Sequence, residues 1–137
     1  LARSLRGSAE QGAGQDPRAT FRAAVADFDE VRRLDPGSLA VFGMCGNALY
    51  HLGDAEKAFG GDPAPAWERA VADFRALLAR NPGMWTAALS LSELLERLGR
   101  SDEAWAETVR AEAAAPNEPK VRERRRQLER AREGEGD

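Results

Sequence analysis

Few side chains in this chain have the chemistry for catalysis or metal binding. One cysteine, Cys45, and one histidine, His51, stand six positions apart. Six residues of helix make about 1.7 turns, so the two project from different faces and cannot work as nucleophile and base. They are also too few for a His/Cys zinc set. No glycine-rich phosphate loop and no serine elbow is present. Cys45, beside Gly46, reads as a small core residue, and His51 as an exposed residue near a helix end. The acidic side chains are spread around helix faces, where charge is ordinarily just solvated. The expectation is no catalytic residue, no cofactor and no metal.

The three tryptophans, Trp67, Trp85 and Trp105, are candidates for recognition, because Trp is enriched at binding hot spots. All three fall near helix starts, where packing between helices is the default; Trp105, directly after the small Ala104, is the one expected to turn outward. A net charge of -3 gives no overall attraction to nucleic acid. No apolar run approaches the roughly 18 residues of a membrane span. At 137 residues the length fits one domain.

What must position these residues is legible in an internal repeat. The string AVADF occurs at 24–28 and again at 70–74, followed at the same distance by Asp35-Pro36-Gly37 and by Asn81-Pro82-Gly83. A more worn copy runs from Ala104 to Pro116 with that spacing. Ala70 and Ala104 are 34 residues apart; Ala24 and Ala70 are 46 apart, so one unit carries 12 extra residues. Apolar residues recur at three and four, as in Val71, Phe74, Leu77 and Leu78, and in Leu91, Leu94, Leu95 and Leu98. That period belongs to amphipathic helices. Small residues at Ala24, Gly46, Ala70, Ser92 and Ala104 let helices approach closely, and Phe28 and Phe74 fill the space between units. Pro36, Pro82 and Pro116 stop helices. Gly53 and Gly99 are expected to end them in a left-handed cap, with Ser101 or Asp102 capping the next.

On these residues the chain resembles the tetratricopeptide repeat family, whose 34-residue unit is a helix A, a turn and a helix B. The resemblance implies an all-α, right-handed superhelical solenoid of antiparallel helix pairs. It covers a half unit at 20–37, a unit at 38–83 with an insertion at 54–65, and a unit at 84–117. It also implies that A helices line a concave groove for a protein or peptide partner. The positions that map there are Ala40, Gly43, Asn47, Tyr50 and His51 of the second unit and Thr86, Leu89, Ser90, Glu93, Glu96 and Arg97 of the third. Of these, Asn47, Tyr50, His51, Thr86, Leu89, Glu93 and Arg97 are the expected partner-binding residues. Only Asn47 matches the carboxylate-gripping pattern of the chaperone-binding branch, so mixed apolar and polar contacts are expected instead.

Residues 1–19 read as a remnant or poorly ordered segment. The chain opens with Leu1 and its first residues lack the apolar core of a secretory signal, so it reads as a piece of a longer protein. The insertion is either a tolerated loop or a segment whose Phe59 folds back over an edge. Residues 118–133 read as a helix capping the last repeat through Val121, Leu128 and Ala131, with a basic contact surface or self-association as alternatives, and 134–137 as a disordered tail. The expected function is a protein-interaction or scaffolding module of a cytoplasmic, bacterial protein. A regulatory appendage of an enzyme, and a homo-oligomerisation module, are the other readings.

Overall fold

A computed structural model describes residues 16–136, and among them there are six helices and no strand. They are α1 (Arg18–Leu34), α2 (Leu39–Ala58), α3 (Ala64–Arg80), α4 (Trp85–Arg97), α5 (Ser101–Ala114) and α6 (Pro119–Gly136). The remnant segment expected at 1–19 lies outside the described residues up to position 15; α1 already begins at Arg18. Where length alone suggests one domain, the fold divides within α3 into two compact units, one ending at Ala76 and the other beginning at Leu77.

The echo in the sequence is an echo of turns. After α1, Asp35 N–H donates to the Val31 carbonyl and Ser38 N–H to the Asp35 carbonyl. The same two bonds recur after α3, from Asn81 to Leu77 and from Met84 to Asn81, and after α5, from Ala115 to Ala111 and from Glu118 to Ala115. In each case proline is the next residue. It has no N–H to continue the ladder and disfavours a helical conformation in the residue before it, so all three helices end as the spacing predicts.

In the first unit, Phe21 stacks on His51, Arg22 pairs with Glu56 and Arg32 lies over Phe42. Numbers fall on α2 as they rise on α1, so the two helices are antiparallel. The same holds for α2 and α3: Gly46 faces the Phe74 ring and Gly53 faces Trp67. Both aromatic rings are buried, and so are Phe28, Ala24 and Ala70. Each buried aromatic ring is worth roughly 2–3 kcal/mol of apolar transfer. Small residues and rings therefore meet where the repeat requires it.

One expected helix end is corrected. Gly53 does not cap α2; the helix continues through Asp54-Ala55-Glu56-Lys57-Ala58, a run of mostly good helix formers, and Ala55 is buried. The glycines with positive φ are Gly60 at 82° and Gly99 at 79°. Each closes its helix with a six-to-one bond, Gly61 N–H to the Glu56 carbonyl and Arg100 N–H to the Leu95 carbonyl. What Gly53 supplies is room for Trp67. The insertion is thus largely helical, and only residues 59–63 connect α2 to α3. Asp62 caps the start of α3, its Oδ1 accepting the Ala64 N–H at 3.0 Å. Ser101 is no cap: it is the first residue of α5, and Asp102 and Glu103 instead favour that helix end through its dipole.

In the second unit, α4 and α5 are joined by three residues and pack as an antiparallel pair, while α6 lies against both. Ala104, Thr108 and Ala111 of α5 are buried against a core that includes Leu91, Leu94 and Leu95. Of the three apolar contacts expected from α6, Val121 and Leu128 are buried, but Ala131 is exposed.

Candidate functional site

In the first unit the predicted contact residues share the outer face of α2. Asn47 and His51 are exposed and Tyr50 is half-buried, with the His51 ring 5.9 Å from Phe21 and 5.7 Å from Tyr50. His51 therefore lies mid-helix against aromatic neighbours, not near a helix end. Cys45 is fully buried. Burial, and then the neighbouring Asp73 carboxylate, push its thiol up to about 12 against the opposing pull of Arg32. It is protonated and inert at neutral pH, and no chemistry joins it to His51.

The cleft of this unit opens on the other side. It measures about 390 Å³ and is lined by Val25 and Ala26 of α1, Leu49 and Leu52 of α2 and Ala66 of α3, among others. At roughly 100° per residue, Leu49, Leu52 and Glu56 point opposite to Asn47, Tyr50 and His51. Ion pairs Arg22–Glu56 (2.6 Å) and Arg69–Asp29 (3.0 Å) stand at its rim. Phe59, from the insertion, is 45% exposed and lies under the Arg18 guanidinium, 5.5 Å from its ring centre.

The second unit brings three predicted residues into one place. Leu89, Glu93 and Arg97, successive turns of one face of α4, form one wall of an open groove of about 590 Å³. The other wall is α6, through Pro119, Lys120, Glu123, Arg124 and Gln127. Leu89 is buried and belongs to the floor; Thr86 is exposed on α4 but does not line the groove.

Sequence reasoning missed Arg124. Read as one charge in a basic run, it is in fact 7% exposed. Its Nε donates to Ser92 Oγ (3.1 Å), Nη2 to the Ser92 carbonyl (3.1 Å) and Nη1 to Glu96 Oε1 (3.0 Å). Ser92 Oγ lies 3.0 Å from the Ala104 carbonyl and 2.8 Å from Thr108 Oγ1, which itself donates to Ala104. The available signal was spacing: Val121, Arg124 and Leu128 fall on one helical face, and a cation on an apolar stripe needs acceptors beneath it. Trp105, expected to turn outward, is half-buried beneath α6, with the guanidinium carbons of Arg132 and Arg125 at 5.0 and 5.9 Å from its ring centre. Trp67 is buried and Trp85 half-buried.

Among the described residues no group of three His, Cys, Asp or Glu side chains gathers as metal ligands, and no helix is long and apolar enough to cross a membrane. Compared with known families, residues 67–119 match the tetratricopeptide repeat. No curated protein matches the chain. Among solved structures, one titled "Crystal structure of MamA" is similar at 16% identity, covering 95% of this chain and 84% of that one with a TM-score of 0.48.

Proposed function

We propose, from the match of residues 67–119 to the tetratricopeptide repeat, that the protein is a partner-binding module holding a polar protein segment in the groove between α4 and α6. The observation that carries this reading is the groove itself. Glu93 and Arg97 on one wall and Lys120, Glu123 and Gln127 on the other surround a narrow apolar floor of Leu89 and Pro119. Alternating charge over little apolar area suits a segment bound in register by hydrogen bonds and ion pairs more than a greasy helix. Asn47, Tyr50 and His51 on α2 provide a second contact surface of similar polarity.

The test is affinity capture with the intact chain and two variants. Arg97→Glu with Lys120→Glu reverses charge in the groove, and Asn47→Ala with Tyr50→Ala trims the α2 face. Recovery of the specific partner is expected to fall about tenfold with the groove variant, the effect of losing one well-made charged contact, and less with the α2 variant. Equal recovery by the groove variant, with an unchanged circular dichroism spectrum, places the site elsewhere.

A further inference from the structure

α6 is held to its unit in an unusual way. Val121 and Leu128 are its buried apolar side chains; the remaining ties are charged. Arg124 reaches Glu96 on α4, Arg125 reaches Glu112 on α5 at 2.5 Å, and Arg132 approaches Asp102 at 3.8 Å while lying over Trp105. An interface of two buried apolar side chains and several paired charges draws part of its strength from electrostatic complementarity, and that part falls with salt.

The receiving surface, moreover, is complete without α6. Ser92 and Thr108 carry one hydroxyl proton each, and the Ala104 carbonyl lies within reach of both inside the α4–α5 pair, so neither proton is left for α6. What Ser92 turns toward α6 is therefore acceptors only, its Oγ and its carbonyl, with the Glu96 carboxylate beside them. A planar fork of donors fits that arrangement, and a lysine ammonium does not reproduce it.

We propose that the α4–α5 pair is a recognition site for an arginine-bearing amphipathic helix, which α6 occupies in cis and which a partner helix of the same register occupies in trans. The register is read from α6 itself: an apolar residue, two arginines three and four positions on, an apolar residue at seven and an arginine at eleven. This inference does not rest on the groove reading. A segment lying between α4 and α6 needs α6 docked, whereas a helix in trans needs it displaced.

Two measurements on the full chain test it. A fluorescent peptide with the sequence of residues 118–134 is titrated against wild-type protein and against Arg124→Ala, with anisotropy as the readout. The variant is expected to bind at least tenfold more tightly, because the competing cis helix enjoys a local concentration of about millimolar or more and the substitution weakens it. The same peptide with lysine in place of the Arg124 equivalent is expected to lose that binding. If Arg124→Ala fails to fold, hydrogen exchange of the wild type decides: amides of α6 should exchange faster than those of α4 and α5, and faster still as salt rises from 50 to 500 mM. Absence of peptide binding to a folded variant overturns the proposal. So does an α6 that exchanges as slowly as α4 and α5 at every salt concentration, which is the behaviour of a fixed structural cap. Partner capture that depends on Arg97 and Lys120 with no trans binding of the peptide would leave the groove standing and remove this inference alone.

Discussion

Gly53→Ala is the change that most directly tests how the first unit is built. A Cβ at position 53 would overlap the Trp67 ring, with Cγ 2.9 Å away and Cδ1 and Nε1 closer still. Trp67 is 4% exposed, so the ring has no free space to enter. At Gly46, on the same face of the same helix, a Cβ would meet Phe74 at 3.0, 3.1 and 3.3 Å, a squeeze that a few tenths of an ångström relieves. Glycine to alanine inside a helix returns about 1 kcal/mol of backbone preference in both cases. Overpacking typically costs about 1–3 kcal/mol and more where the neighbour is immovable. Gly46→Ala should therefore be near neutral, and Gly53→Ala destabilising by about 2 kcal/mol, a fall in melting temperature of about 5–10 °C. Chemical denaturation followed by circular dichroism measures both. Adding Trp67→Phe, which removes the indole Nε1 that is buried without a hydrogen-bond partner, should recover part of the loss, with a coupling of about 1 kcal/mol in a double-mutant cycle. A Gly53→Ala protein as stable as wild type, or one that Trp67→Phe weakens additively, would refute the α2–α3 register.

Ala104→Arg should cost about 3 kcal/mol or more, because position 104 is fully buried and its carbonyl receives the Ser92 and Thr108 hydroxyls; an unchanged denaturation midpoint contradicts that placement. Cys45 should resist a thiol reagent at pH 8 in the native protein and react at once in denaturant. Its folded pKa, raised to about 12 from 9.0, means the folded state keeps the proton longer. Its contribution to stability is therefore present below pH 9 and lost as pH rises from 9 toward 12. Cys45→Ser should alter that alkaline slope, and an identical slope would show that another group sets it.

The helices and their ends were legible wherever a local rule decides them. Proline after Asp35, Asn81 and Ala115 stops a helix whatever surrounds it, and the small residues at 70 and 104 could be placed because the repeat spacing brings them to a helix crossing. Gly53 and Gly99 look alike in sequence, 46 residues apart, yet only Gly99 adopts positive φ. A tertiary neighbour, the Trp67 ring, decides what Gly53 does, and no local pattern reports it. Arg124 was hidden for the complementary reason: its acceptors sit 28 and 32 residues earlier, on another helix. The seven expected contact positions were chosen by repeat register. Three of them, Leu89, Glu93 and Arg97, line a groove whose far wall belongs to residues outside the repeat units, which register could not supply.

The three matching turns have an evolutionary corollary. A stretch of chain that begins after one proline-marked stop and finishes at the next has interchangeable ends, so it can be copied or excised without redesigning either junction. The extra length at 54–65, spread over the end of α2, the connection and the start of α3, has the same tolerance: it lies between two such junctions, and the stops on either side keep their form.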